Sequence, residues 1–153
     1  MNEHGFIKAV HRKLPPNLYR WKIHDTYTGG VPDAMYAGPA GTLFVEYKYV
    51  NLPKRTSTRI KTGLSALQLA WLDMMCDYKV VVAVIIGSKE GTIVLTKKNW
   101  HKPLYSPDFC HGLTVDQTSK WIVGHLNGKQ NEKTKPNSSD SKLEKPMGEQ
   151  ESS

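Results

Sequence analysis

Cysteine is nearly absent from this chain. The 153 residues hold two, Cys76 and Cys110, with neither CxxC spacing nor a metal-type cluster with histidine. That excludes a disulfide scaffold, a zinc ribbon and a redox dithiol, and leaves two reduced thiols. Long apolar runs are missing too: no stretch approaches the roughly 18 residues of a membrane helix. The N-terminal MNEHGFIKAVHRKLPP has no apolar centre of the signal-peptide kind. The expectation is a cytoplasmic protein without membrane contact. Acidic residues are in deficit, 14 Asp and Glu against 21 Lys and Arg, for a net charge of +7. A basic balance of that size points to a polyanionic partner.

Apolar side chains run out near Asn127. NGKQNEKTKPNSSDSKLEKPMGEQESS has no aromatic, and its five lysines balance five acids. Such a segment cannot bury enough surface to offset its ordering entropy. One folded domain is therefore expected over residues 1–126, carrying the whole net charge. A disordered polar tail is expected over 127–153, where a protein partner could be recruited. No internal repeat is present.

Within the folded part, Asn2 can cap a helix NEHGFIKAVHRKL, which Pro15 and Pro16 stop. RWKIHDTYT (20–28) alternates as a strand, with Trp21, Ile23 and Asp25 on one face, until Gly29 and Gly30. Two hairpin strands are expected near 32–37 and 42–50 around GPAG. The polar NLPKRTSTRIKTG (51–63) reads as a mobile basic loop. Ser65 and Gln68 make a capping box for a helix with Leu64, Leu67, Trp71, Leu72 and Met75 at helical spacing. KVVVAVIIG (79–87) is a β-branched run suited to a strand covered on both faces. TIVLT (92–96) pairs with it after a turn, residues 97–112 look irregular, and Thr114 with Gln117 opens a last helix to about 126. The order α-β-β-β-α-β-β-α predicts an α/β fold with a mixed central sheet flanked by helices.

The ionisable residues inside the hairpin are the informative ones. With a Gly38–Gly41 loop, paired positions sum to 79, so Asp33 faces Glu46, and period-2 alternation places Lys48 on the same face. Val45, Tyr47 and Tyr49 take the other face. Two carboxylates and an ammonium on one patch repel and attract in a way that a hard divalent cation resolves best. Such an ion polarises phosphoryl oxygens and activates water, with an ammonium to orient that water or to stabilise charge. The chemistry that fits is phosphodiester hydrolysis.

PD at 32–33, twelve intervening residues and EYK at 46–48 on an apolar strand resemble the PD-(D/E)xK nuclease superfamily. GGVPD, EYK, a basic loop and LSALQ opening a helix are similar to its VRR-NUC branch, which includes small stand-alone viral and bacterial nucleases. The resemblance covers about residues 1–96. It implies a restriction-endonuclease-like core and a Mg2+-dependent endodeoxyribonuclease in which Mn2+ substitutes. By position, Asp33, Glu46 and the backbone carbonyl of Tyr47 would hold the metal, with Glu3 of the first helix completing the site. Lys48 would position the attacking water, supported by Gln68. The resemblance further implies homodimers acting on branched DNA such as Holliday junctions, in a bacterial or virus-infected cytoplasm.

Other readings stay open. Asp33, Glu46 and Lys48 could be a salt-bridge cluster on a solvated sheet face, and Gln68 could be a helix cap alone. His24, Asp25 and His101 read as polar surface. Lys54, Arg55, Arg59 and Lys61, directly after the EYK strand, are expected to contact nucleic-acid phosphates, giving affinity without sequence choice. A DNA- or protein-binding module on the same fold, or an RNA-directed nuclease, would share much of this pattern.

Overall fold

A computed structural model of the chain describes residues 1–128, so nearly all of the expected tail lies outside the described residues. Helix α1 spans Glu3–Lys13, with the Asn2 side chain accepting the Gly5 N–H at 2.9 Å as its cap. Strands β1 (Tyr19–Lys22), β2 (Ala34–Gly38) and β3 (Gly41–Tyr49) form a meander. Helix α2 (Ala66–Asp77) crosses to β4 (Val82–Gly87), and β5 (Thr92–Leu95) follows. A 3-10 turn (Asn99–His101) and a short α3 (Pro107–Cys110) lead to α4 (Val115–Asn127). Among the described residues the sheet order is β1-β2-β3-β4-β5; the β3–β4 pair, bridged by α2, is parallel and the others are antiparallel. This is the mixed, helix-flanked α/β sheet that the residue pattern implies.

Two apolar layers hold the sheet. On one face α1 and α4 pack Phe6, Val10, Ile122 and Leu126 on Tyr36, Val45, Tyr47 and Ile85. On the other, Leu72 of α2 meets Val82, Val84 and Ile86 together with Trp100 and Phe109. Every residue of β4 is buried, as its unbroken β-branched run requires.

Several expectations need correction. β1 ends at Lys22, because the Asp25 carboxylate accepts the N–H groups of Tyr27 and Thr28 (2.8 and 3.2 Å) and turns the chain. The central strand starts at Val82, after Lys79 adopts a left-handed backbone. The hairpin loop is Pro39–Ala40 alone, since Gly38 and Gly41 still pair. Leu67, one of the apolar residues at helical spacing in α2, is 63 % exposed. Residues 97–112 contain two short helical segments.

The basic loop is also anchored rather than free. Ile60 is buried and its N–H reaches the Leu104 carbonyl at 2.8 Å, while the Ser106 hydroxyl donates to the Pro53 carbonyl at 2.8 Å. The segment after β5 thus acts as a buttress for the loop after β3.

Candidate active site

The hairpin register matches the expected one, with Ala34 opposite Val45 and each pair summing to 79. Asp33 stands one residue before the start of β2. Its own carbonyl accepts the Ile23 N–H at 2.8 Å, and its carboxylate Oδ2 accepts the Tyr47 N–H at 2.8 Å. The side chain therefore extends the ladder past the first residue of β2. In an extended strand the N–H and C=O of one residue leave on the same side, so the Tyr47 carbonyl points toward Asp33 as well.

Glu46 projects to the α2 face and is 2 % exposed. Two donors reach its Oε1: Gln68 Nε2 at 2.6 Å and Lys48 Nζ at 3.4 Å. The Gln68 amide cannot turn round. Its Oε1 accepts the Ser65 N–H at 2.9 Å as half of the α2 capping box, which directs its NH2 at Glu46. Gln68 is thus a helix cap and a carboxylate clamp at once.

The sequence signal for this contact lies in GGVPD. Gly30 has φ +86°, and a Cβ there would lie 2.3 Å from the Leu67 carbonyl oxygen and 3.1 Å from the Gln68 nitrogen. Only glycine lets the first turn of α2 come this close, and that approach brings Gln68 within reach of β3. Gly29 and Gly30 break the strand in sequence terms; the close packing of Gly30 on α2 comes from the structure.

The carboxyls are electrostatically linked. Burial, followed by the Asp33 charge, pushes Glu46 up to about 8, against the opposing pull of Lys48. Burial also raises Asp33, offset in part by the Tyr47 N–H and then by Lys48 and Lys22. Glu3, at the start of α1, is raised by its burial, with Lys48 opposing and Asp33 adding. These three residues, far apart in sequence, share one field. From the opposite face a buried chain steadies the strand: the His11 Nε2 meets the Tyr36 hydroxyl at 2.7 Å, which meets the Tyr47 hydroxyl at 2.6 Å.

A cleft of about 520 Å3 opens beside Lys48, lined by Glu3, Arg59 and Lys61 among others. Gly63 carries the loop past the Lys48 side chain. Lys54 and Arg55 lie outside this lining, so the structure brings two of the four expected phosphate contacts to the site and not the other two.

The donor set fits a hard divalent cation. It is all oxygen, and its carboxyls carry a strain of charge that a cation would relieve. Among the described residues no three His, Cys, Asp or Glu side chains form a ready-made cage. Mg2+ needs none, since it keeps waters and borrows substrate phosphates around one or two carboxylates. Among the same residues no helix is long and apolar enough to cross a membrane.

No protein-family model and no curated protein matches the chain. Among solved structures it is similar to Hjc, a Holliday junction resolvase from the archaeal hyperthermophile Archaeoglobus fulgidus. The TM-score is 0.47 at 12 % identity, over 76 % of this chain and 96 % of that one. A likeness of that strength bears on neither activity nor substrate.

Proposed function

We propose that the chain is a metal-dependent endonuclease that hydrolyses DNA phosphodiesters, a PD-(D/E)xK enzyme of VRR-NUC type. The observation that carries the reading is the clamped Glu46. A carboxylate this deeply buried, beside a second carboxylate and with an amide and an ammonium converging on one oxygen, costs stability. A salt-bridge cluster on a solvated face would not be buried, and a helix cap alone would not aim its amide at Glu46.

Asp33, Glu46 and the Tyr47 carbonyl would hold Mg2+ or Mn2+, with Glu3 at the cleft rim. When bound, the ion supplies Lewis-acid polarisation of a phosphoryl oxygen and a lowered pKa for a coordinated water. Lys48, anchored on Glu46, orients the attacking water and offsets charge developing on the phosphate. Gln68 keeps the Glu46 oxygen from rotating away. Arg59 and Lys61 draw the polyanion into the cleft, while Lys54 and Arg55 add longer-range attraction.

Structure-selective cutting of branched DNA by a homodimer, in a bacterial or virus-infected cytoplasm, is the finer form of the proposal. A partner protein on the 127–153 segment belongs to it too. The test is cleavage of single-stranded DNA, linear duplex, a splayed fork and a four-way junction, each with Mg2+, Mn2+ or EDTA, beside a Lys48→Ala control. Metal-dependent cutting that the control loses supports the proposal, and the preferred substrate refines it. Tight binding with no cutting under either metal would instead favour the binding-module reading.

A further inference from the structure

A second cavity opens on the other side of the carboxylates, and its chemistry is different. Trp21 pairs with Met35 across β1–β2, and Met35 pairs with Phe44 across β2–β3. Directly opposed residues share a face, so the three form one row on the sheet face of Glu46 and Lys48. α2 covers this face over β4, where Leu72 is buried, but the row emerges at the β1 edge, where Trp21 is 50 % exposed. There Trp21, Lys22, Ile23, His24, Val31 and Phe44 line a cavity of about 440 Å3. Asp25, also in its wall, spends its carboxylate on the Tyr27 and Thr28 N–H groups, and the turn it caps presents Tyr27 at 98 % exposure.

The cavity adjoins the site. Ile23 hydrogen-bonds the Asp33 carbonyl, and Lys22 is near enough to pull on the Asp33 carboxyl. Asp33, Glu46 and Lys48 are therefore flanked by a basic cleft on one side and an aromatic cavity with Lys22 in its wall on the other. A polynucleotide strand matches both, since each unit joins an anionic phosphate to a flat apolar base. Paired bases are stacked away from such a wall; only an unpaired base can enter.

We propose that this cavity receives an unpaired nucleobase next to the phosphate being cut, stacked on Trp21, with Tyr27 as a second ring near its mouth. The cavity thereby selects nucleic acid with single-stranded or splayed character. The inference rests on the nuclease reading of the adjoining carboxylates and names the class of substrate.

The test uses the full chain in EDTA, where binding is measured apart from cutting. A splayed fork and a single strand carrying 5-iododeoxyuridine are bound, irradiated, and the crosslinked peptides mapped. Crosslinks at Trp21 or Tyr27 are expected. Trp21→Ala should weaken single-strand and fork binding about tenfold, the size of one lost base–aromatic stack, with duplex binding little changed. Trp21→Phe should restore most of it, which separates stacking from misfolding. Crosslinks confined to other residues, or single-strand binding unaltered in Trp21→Ala, would overturn the proposal. So would a Trp21→Ala protein that sediments as a smaller species, because a second copy of the chain would then be what covers this face. Absence of cutting under any metal, with the crosslinks intact, would sink the nuclease reading and leave the base pocket standing.

Discussion

Gln68 donates to Glu46 at 2.6 Å through an amide whose orientation is fixed by the backbone N–H of Ser65. One side chain therefore serves the start of a helix and the centre of the candidate site, and the two roles separate by mutation. Ser65→Ala removes the hydroxyl cap but keeps the N–H that orients the amide. It should cost about 1 kcal/mol of stability with cleavage nearly intact. Gln68→Ala should lower cleavage or metal affinity about 10–100-fold, as losses of a supporting hydrogen bond commonly do. Denaturant melts and cleavage rates on the two variants check this; equal cleavage losses would reduce Gln68 to a cap.

Glu46 titrates near 8 in the metal-free fold, well above an ordinary carboxylate. The unfolded chain releases this proton near pH 4.5, so between there and about 8 the folded state binds more protons than the unfolded one. Stability of the metal-free protein should fall as pH rises through that window. Glu46→Gln has no such proton to lose and should melt higher than wild type at pH 8.5 in EDTA, by an amount on the order of a few kcal/mol. At pH 4.5 the difference should nearly vanish. Melts at both pH values read the sign; a less stable variant at pH 8.5 would contradict it.

Gly30 and Gly41 both have positive φ, but they differ in surroundings. A Cβ on Gly41 meets nothing within 4 Å, whereas one on Gly30 collides with the backbone of α2. Gly41→Ala should cost about 1 kcal/mol of backbone strain and leave cleavage intact. Gly30→Ala should cost more and also abolish cleavage by pushing Gln68 off Glu46. Thermal melts with parallel rate measurements distinguish them.

Arg59 and Lys61 line the cleft with Lys48, and Lys54 and Arg55 do not. Replacing Arg59 and Lys61 by Ala should flatten the log–log salt dependence of DNA binding by about two. The Lys54/Arg55 pair should change it less. Binding titrations from low to moderate salt in EDTA compare the two double variants.

The hairpin was legible because its turn residues and its alternation are both local. GPAG set the pairing, and the pairing placed Asp33, Glu46 and Lys48 together. Gln68 was legible from LSALQ as a helix cap that a place in the site need not exclude, and in the structure it both caps α2 and donates to Glu46. Alternation from Arg20 runs on past Asp25, but the strand ends at Lys22 because the short Asp25 side chain turns the chain, and DTYT carries the local signal for that turn. What sequence spacing could not supply is tertiary. Ile60 and Ser106 pin the basic loop to a distant segment, Gly30 admits the turn of α2, and the Tyr36–Tyr47 hydroxyl pair braces the strand from the opposite face. Each depends on a partner that local pattern does not reveal.

In the proposed mechanism Asp33 and Glu46 form a cation-binding pair at the open end of the hairpin. The most direct test of that pair is a titration of Mn2+ into wild-type protein and into Asp33→Asn, reading bound ion by electron paramagnetic resonance. Wild type should bind the ion saturably and Asp33→Asn should lose that binding. Equal binding by both proteins, or none by either, would contradict the proposed pair.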